Sequence, residues 1–209
     1  RDSLSDDDTD SPAYRAYLWL ANTRGYDELD DFRKLQRFGL VTFYLSTTPD
    51  FDWKVSNRWQ THEHECGWFG ISCAIEDTVT EISLPSNRLS GTIPPAIALA
   101  GLGGEIGRLN LSGNNIGGKI VDQLGTFKHL EELDLRANDF TGQIPTSLGQ
   151  LSSLASLQLQ GNDLSGDMPP EVCFLFSNGN LDSLVADCDS EDPFSQVNCD
   201  METCCSECY

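Results

Sequence analysis

Residues 130–145 read LEELDLRANDFTGQIP, and the spacing of their apolar and polar positions decides the fold. The pattern occurs four times, with its two aliphatic positions, its Asn and its Gly in register. These positions are Ile82/Leu84/Asn87/Gly91, Leu109/Leu111/Asn114/Gly118, Leu133/Leu135/Asn138/Gly142 and Leu157/Leu159/Asn162/Gly166. The copies are separated by 27, 24 and 24 residues. A period of this length indicates a solenoid of stacked repeats.

Each position of the repeat has a physical role. Two aliphatic side chains of a short strand point inward, and the Asn side chain can hydrogen-bond backbone groups along the stack. Gly permits a backbone conformation that a bulky residue resists, and Pro keeps the returning segment out of helices and strand ladders. One repeat cannot bury its own apolar face, so the array needs neighbours and two caps.

The repeats resemble the 24-residue leucine-rich repeat of plant-type extracellular proteins, L-x-x-L-x-L-x-x-N-x-L-x-G-x-I-P. The resemblance implies an α/β solenoid with short parallel strands, a helical N-terminal cap and a disulfide-rich C-terminal cap. The expected domains are an acidic flexible leader over 1–10, the N-terminal cap over 11–78, four repeats over 79–177 and a Cys-rich acidic cap over 178–209. Residues 99–104 insert three residues into the first repeat.

The N-terminal cap is expected to contain two helices. Ser11-Pro12 predicts the start of the first, with Ser as N-cap and Pro at N1. The second should begin near Asp30 or Asp31. The residues expected on the packed sides are Tyr14, Tyr17 and Leu18 in the first helix, Phe32, Leu35, Phe38, Thr42 and Leu45 in the second, and then Trp53 and Trp59. The element CGWFGISC over 66–73 resembles the closure of plant-type N-terminal caps, which implies a bridge between Cys66 and Cys73.

The eight cysteines lie at both ends of the repeat array and leave residues 74–172 without any. The C-x2-C pair Cys205 and Cys208 has no His nearby, so zinc is disfavoured against disulfides. Disulfides imply an oxidising, extracytosolic compartment. The six C-terminal cysteines allow 15 pairings, and the adjacent Cys204 and Cys205 are not expected to bond to each other.

The formal net charge of −20 excludes several classes of partner. Nucleic acids and anionic lipids are bound by Lys and Arg, and this chain would repel them. The expected partner is a protein, peptide or glycan. The chain opens without an apolar signal segment and holds no apolar run of about 20 residues. We therefore expect a mature or excised fragment whose membrane anchor, where one exists, lies outside it.

Catalysis and metal binding find little support in the sequence. A nucleophile elbow, a phosphate loop, an H-E-x-x-H motif and paired carboxylates on one helix face are all missing, so we expect no enzyme and no cofactor. His62-Glu63-His64-Glu65 fits a hydrophilic cap loop better than a metal site. Asp187, Asp189, Glu191 and Asp192 lack the spacing of a calcium loop and fit a solvated acidic loop.

The concave face, made of the positions that alternate with the buried Leu of each strand, is the candidate binding surface. The candidate ligand-binding residues are Asp134, Arg136, Gln158, Gln160, Arg108 and Glu132. A solvated face is the alternative, with Arg108 and Arg136 in structural ion pairs. Asn110-Leu111-Ser112 is an N-glycosylation acceptor, and a glycan on Asn110 would stand in the middle of this face.

The order of motifs also looks like that of leucine-rich-repeat ectodomains of unicellular algae, through S-P-x-Y-x-A-x-x-W-L-A-N, then Q-R-F-G-L-V-T-F-Y-L-S-T, then C-G-W-F-G-I-S-C. This resemblance implies a secreted or membrane-anchored receptor-like protein on the extracellular side that binds a peptide, glycan or protein. Two alternatives stay open. One is a structural cell-coat or matrix protein with calcium-assisted adhesion, and the other is an inhibitor of an extracellular hydrolase, similar to polygalacturonase-inhibiting proteins.

Overall fold

Parallel strands spaced by one repeat form the main sheet of the molecule. The computed structural model describes residues 10–48, 52–75, 77–99, 105–188, 197–199 and 204–208. The main-sheet strands, in spatial order, are β1 (Ile71–Cys73), β2 (Val79–Ser83), β4 (Arg108–Asn110), β6 (Glu132–Asp134), β8 (Ser156–Gln158), β11 (Ser183–Ala186) and β13 (Glu207–Cys208). β1 runs antiparallel to β2, and the others are parallel. The fold is a leucine-rich-repeat α/β solenoid, as predicted.

A second set of short strands lies on the lateral side of the repeats. Its members are β3 (Ser90–Gly91), β5 (Asn115–Gly118), β7 (Asp139–Gly142) and β9 (Asp163–Leu164), which pair in that order, while β10 (Gly166–Asp167) pairs with β12 (Val197–Asn198). Gly118 and Gly142 have φ of 72° and 81°. Both therefore occupy the left-handed region that favours glycine.

The predicted register is confirmed. Leu133 pairs with Leu109 on one side and with Leu157 on the other. These leucines are fully buried, and so are Ile82 and Leu184, which extend the same row into β2 and β11. A further strand of the same row, β11, thus follows the fourth repeat. A continuous row of aliphatic side chains runs from the first repeat into the C-terminal cap.

The predicted hydrogen bonds of the repeated Asn side chains are also confirmed. These side chains, Asn87, Asn114, Asn138 and Asn162, are called the Asn ladder below. The Asn114 Oδ1 accepts hydrogen bonds from the backbone N–H of Asn87 at 2.8 Å and of Leu89 at 3.1 Å. Its Nδ2 donates to the carbonyl oxygens of Leu84 at 2.9 Å and Leu111 at 2.7 Å. One side chain therefore satisfies backbone groups of its own repeat and of the preceding one, which otherwise would be buried without partners.

The returning segments are helical, which corrects the expectation that proline would keep them out of helices. They are α3 (Ala96–Leu99), the 3-10 helices Asp122–Thr126 and Thr146–Gln150, and α4 (Pro170–Asn178). Proline acts here as a start signal, since Pro170 stands in the first turn of α4, where a missing N–H costs no hydrogen bond.

The N-terminal cap contains α1 (Pro12–Ala21) and α2 (Asp31–Ser46). Ser11 and Asp30 are their N-caps, and each side chain accepts a backbone N–H three residues later. The predicted starts of both helices are confirmed. Trp53 and Trp59 are also buried as expected, at 4% and 5% exposure.

The predicted packed sides of these helices are partly wrong. Tyr17, Leu18, Phe32 and Leu35 are exposed, whereas Thr42 and Leu45 are buried. In α1 the packed side holds Ala16 and Leu20. In α2 it holds an uninterrupted buried run, Gly39-Leu40-Val41-Thr42-Phe43, together with Gln36 and Arg37. A helix buried around most of its circumference gives no single apolar stripe, so a stripe chosen by periodicity is displaced.

A buried ionic cluster joins α2 to the loop before β1, and the expectation of a hydrophilic loop over residues 62–65 is wrong at Glu65. The Glu65 carboxylate is fully buried, 2.8 Å from Arg33 Nη2 and 3.0 Å from Arg37 Nε. Gln36 Nε2 donates to it at 3.0 Å. Burial alone would raise the pKa of Glu65, but the Arg33 hydrogen bond, a backbone hydrogen bond and both guanidinium charges outweigh it and lower this pKa.

Aromatic rings enclose this cluster. The Arg37 guanidinium lies 5.5 Å from the Trp68 ring centroid and 5.8 Å from that of Trp19, so it contacts two ring faces. Burial lowers the pKa of Arg37, opposed by the charge of Glu65. Trp59 in turn packs on Trp68 at 5.2 Å and on Trp53 at 4.8 Å between centroids. Charge and aromatic packing together close this end of the solenoid.

Disulfides close both ends of the array. Cys66 is bonded to Cys73, which confirms the expected bridge. The C-terminal pairs Cys173–Cys204 and Cys199–Cys205 show that the adjacent cysteines bond to different partners, as expected. Cys188 is also disulfide-bonded. The leader residues 1–9, the insertion residues 100–104 and Asp189, Glu191 and Asp192 lie outside the described residues.

Candidate functional site: the concave face

The concave face carries three lanes of side chains that follow the strand register. The first lane is Glu81, Arg108, Glu132, Ser156 and Ser183. The second lane is Ser83, Asn110, Asp134, Gln158 and Val185. A third lane follows the strand ends, with Ser112, Arg136 and Gln160. Neighbouring strands in a sheet are about 4.8 Å apart, so each lane is a continuous row of adjacent side chains.

Arg108 is engaged by two carboxylates of its own lane. Its Nε is 2.8 Å from Glu132 Oε2, and its Nη1 is 3.6 Å from Glu81 Oε1. The charges of Glu132 and Glu81 raise the pKa of Arg108. The triplet carries one net negative charge, and its guanidinium is already partnered on both sides. This end of the face is thus poorly suited to clamping an anionic group.

Asp134 is buried, which corrects the expectation that its side chain is openly accessible. The residue is only 3% exposed because its in-register neighbours Asn110 and Gln158 stand on both sides of it. Its Oδ1 accepts the Arg136 backbone N–H at 3.2 Å, and its Oδ2 is 3.3 Å from Arg136 Nε. Burial raises the pKa of the Asp134 carboxyl, although the Arg136 N–H and charge act in the opposite direction.

Gln158 and Gln160 extend the polar surface toward the C-terminal cap. Gln158 Nε2 donates to Ser183 Oγ at 2.9 Å and to Ser156 Oγ at 3.2 Å. Gln160 Nε2 donates to Gln158 Oε1 at 3.3 Å. Among the described residues, the Gln160 Oε1 finds no donor although the atom is buried. The Gln160 side chain as a whole is half-buried, so this oxygen reaches a ligand N–H only when the side chain turns outward.

The glycosylation acceptor lies in the second lane. Asn110 Oδ1 accepts hydrogen bonds from the Ser112 backbone N–H at 3.0 Å and from Ser112 Oγ at 2.7 Å. Ser112 itself is 7% exposed, whereas Asn110 is half-buried. The Asn110 amide nitrogen would carry the glycan directly beside Asp134, its in-register neighbour.

Sequence reasoning brought the concave candidates together but missed two polar features. The first is the Glu65 cluster, whose only sequence signal is Arg33, Gln36 and Arg37 at helical spacing on α2. The second is Asp187, whose Oδ1 and Oδ2 accept the backbone N–H groups of Gly161 and Asn162 at 2.9 and 3.1 Å. Asp187 therefore terminates the Asn ladder, and the solvated-loop expectation is wrong for this residue.

Two groups in the described part of the chain bring potential metal ligands within reach of one ion. They are His64, Cys66 and Asp77, and Cys188, Cys199 and Cys205. All four cysteines are in disulfides, so no thiolate is available for a metal. His64 Nε2 is 3.0 Å from Asp77 Oδ2, which leaves one imidazole and one carboxylate. Two ligands do not make a closed site.

The stacked strands, the Asn ladder and the polar strand face are features of a leucine-rich-repeat fold. Residues 106–127 and 129–151 match the family described as Leucine Rich Repeat. Protein MALE DISCOVERER 1 of Arabidopsis thaliana is 34% identical to this chain over 79 residues, which are 38% of this chain and 10% of that protein. The chain thus spans about a tenth of the length of that curated relative.

Two solved ectodomains from Arabidopsis thaliana share the fold. The first is the ectodomain of the plant membrane receptor kinase GASSHO1/SCHENGEN3, solved in complex with CASPARIAN STRIP INTEGRITY FACTOR 2. It has a TM-score of 0.61 at 32% identity, over 70% of this chain and 17% of that chain. The BIR2 ectodomain has a TM-score of 0.60 at 26% identity, over 80% of this chain and 91% of that one. The chain therefore carries plant-type repeats and is similar to plant receptor ectodomains.

In the described residues, no helix combines the length and apolar character that a membrane crossing requires.

Proposed function

We propose that this chain is an extracellular, non-enzymatic recognition module that binds a protein or peptide ligand across its concave face. It would act as the ectodomain of a secreted or membrane-anchored receptor-like protein. The similarity to plant receptor ectodomains, one of them solved with a bound factor, supports this proposal. Disulfides at both ends of the array support an oxidising compartment. The resemblance to algal ectodomains stays a prediction.

The observation that carries the proposal is the buried carboxylate of Asp134 in the centre of an otherwise small and polar surface. Its raised pKa means that the charged form is held against the preference of its surroundings. A buried charge that lowers stability is typical of binding sites. Beside it, Arg136 offers donors, and the Gln160 Oε1 is an acceptor without a donor in the described structure.

These groups suit the backbone of an extended peptide. Arg136, whose side chain is 51% exposed, donates to a peptide carbonyl, and the Asp134 carboxylate holds its guanidinium in place at 3.3 Å. The half-buried Gln160 side chain accepts a peptide N–H when it turns toward the ligand. Such a ligand would cross from β6 to β8. Arg108, which is already paired with Glu81 and Glu132, would lie at the edge of the ligand.

A displayed library of random 12-residue peptides, selected on the wild-type chain, tests this proposal. Selected peptides should bind Asp134→Asn and Gln160→Ala at least about tenfold more weakly, because the first change releases the Arg136 guanidinium and the second removes a ligand hydrogen bond. Asp163→Asn, on the lateral strand β9, is the matched control and should bind normally. Peptides that bind all three variants as well as wild type would reject the concave site.

A further inference from the structure

One side chain on the convex side breaks the pattern of its repeat. Phe174 in α4 is 62% exposed. It stands one repeat after Gln150 and two after Thr126, both of which are exposed polar residues. All other large hydrophobic side chains found exposed among the described residues lie in the N-terminal cap. The fourth repeat thus places an aromatic ring where the array otherwise keeps a polar group.

A groove lies next to the Phe174 side chain. It has a volume of about 360 Å³ and is lined by Gly149, Pro170, Glu171 and Phe174. A Cβ on Gly149 would lie 2.3 Å from the Cβ of Glu171, so the preceding turn packs its bare backbone against α4. Glu171 and Phe174 are three residues apart on α4 and therefore neighbours on its surface. The groove presents one aromatic face and one carboxylate together.

The charge around the groove favours a cationic ligand. Beyond Arg136 the sequence has 12 Asp and Glu and no Lys or Arg. None of the ion pairs found among the described residues involves Glu171. Seven of these carboxylates belong to the described residues. Lys128 places one cation beside the groove, with its Nζ 3.4 Å from the Gln150 carbonyl oxygen. The excess of negative charge still favours a cationic ligand over an anionic one.

We propose that the groove between α4 and the turn Thr146–Gln150, here called the Phe174 groove, binds an arginine side chain of a basic protein segment. The guanidinium stacks on the Phe174 ring and pairs with the Glu171 carboxylate. Arginine fits better than lysine because its planar guanidinium stacks on aromatic faces and donates in a fork to a carboxylate. The groove lies on the returning segments, so it is separate from the concave surface of the proposed function.

The test uses two 12-residue probe peptides that differ only at four positions, which are all Arg or all Gln, and measures their binding to the whole chain by calorimetry. Wild type should bind the Arg peptide and not the Gln peptide. Phe174→Gln restores the residue type of the third repeat and should weaken binding about tenfold, the size of a desolvated cation–π contact. Glu171→Gln should weaken it to a similar extent.

Asp163→Asn is the matched control for Glu171→Gln, because both remove one exposed carboxylate from the C-terminal half of the solenoid. The control should change the dissociation constant less than twofold, and so should Gln160→Ala on the concave face. Three results overturn the inference. These are no binding of the Arg peptide to wild type, equal binding by Phe174→Gln, and a loss in Asp163→Asn as large as that in Glu171→Gln. The last would indicate general attraction to an acidic surface.

Discussion

At the scale of single residues, the Asn ladder and the aliphatic row carry the stability of the array. Asn138 donates to the carbonyl oxygens of Leu111 and Leu135 and accepts the N–H of Ile116. Asn138→Ala should lower the free energy of unfolding by roughly 1 to 3 kcal/mol, because these buried groups lose their partner. Leu133→Ala should lower it by about 2 to 5 kcal/mol by opening a cavity.

Gln158→Ala is the control for both substitutions. The Gln158 side chain is only half-buried and bonds to two serine hydroxyls that water can serve instead. The change in the free energy of unfolding should stay within about 0.5 kcal/mol. Urea titration of the three variants measures these differences. Equal losses in all three would contradict the observed register.

Substitution of Asp134 should change the stability in the opposite direction. Because burial raises its pKa in the folded state, the charged carboxylate lowers stability at neutral pH. This penalty is present above the folded pKa and disappears as the pH falls below the unfolded value. Asp134→Asn keeps an oxygen acceptor for the Arg136 N–H, so its melting temperature at pH 7 should equal or exceed that of wild type. A clear loss at pH 7 would show that the carboxylate is structural.

The predictions for Asn138 and Leu133 follow from features that the sequence shows directly. The burial of Asp134 cannot be predicted from the sequence. A repeat of 24 residues places Leu133 and Asn138 by local spacing alone. Strand alternation correctly predicts that Asp134 points out of the core. It does not say that Asn110 and Gln158, on other strands, close over the carboxylate. That crowding depends on packing between repeats.

At the scale of the elements, the N-terminal cap is held by contacts that the sequence does not reveal. Arg33 and Glu65 are 32 residues apart, and no local pattern pairs them. The apolar stripe assigned to α2 is displaced for the same reason, since its buried side includes Arg37 and Gln36, which count as polar in any periodicity. The caps cover exposed ends of the array and do not repeat, so spacing cannot predict their pairings.

The Glu65 cluster makes the cap sensitive to acid. A glutamate whose folded pKa is lowered contributes stability above its unfolded pKa and loses it as the pH falls through the folded value. Wild type should therefore lose stability on acidification below the ordinary glutamate pKa. Glu65→Gln leaves the buried guanidinium of Arg37 and the partly buried one of Arg33 without their carboxylate, and should cost about 3 to 5 kcal/mol at neutral pH.

Thermal unfolding from about pH 7 to pH 3 checks this, with the exposed Glu131→Gln as the control for the loss of one negative charge. Wild type and Glu131→Gln should share the acid-dependent loss, and Glu65→Gln should show less of it. A variant that tracks wild type at every pH would assign the acid sensitivity to other carboxylates.

At the scale of the whole molecule, the stability of the solenoid depends on the disulfides at its ends. Cys173–Cys204 links α4 to the tail, and β13 of the same tail adds the last strand to the main sheet. Reduction should release the tail and expose the edge of β11. We expect a dithiol to lower the melting temperature while the central repeats keep their strands. Hydrogen exchange should show loss of protection at β11 before β6, and simultaneous loss would contradict this order.

The accessibility of the concave surface depends on whether Asn110 is glycosylated. Asn110 lies in the central lane, next to Asp134, so a glycan there would cover the approach to β4 and leave β6 and β8 open. The intact mass of protein secreted from a eukaryotic host, before and after glycosidase treatment, measures occupancy. With the glycan present, Arg136→Ala and Gln160→Ala should weaken ligand binding, whereas Asn110→Gln should leave it unchanged or strengthen it. A ligand that needs Asn110 itself would place the binding surface on β4, and an unchanged mass would leave the whole face open.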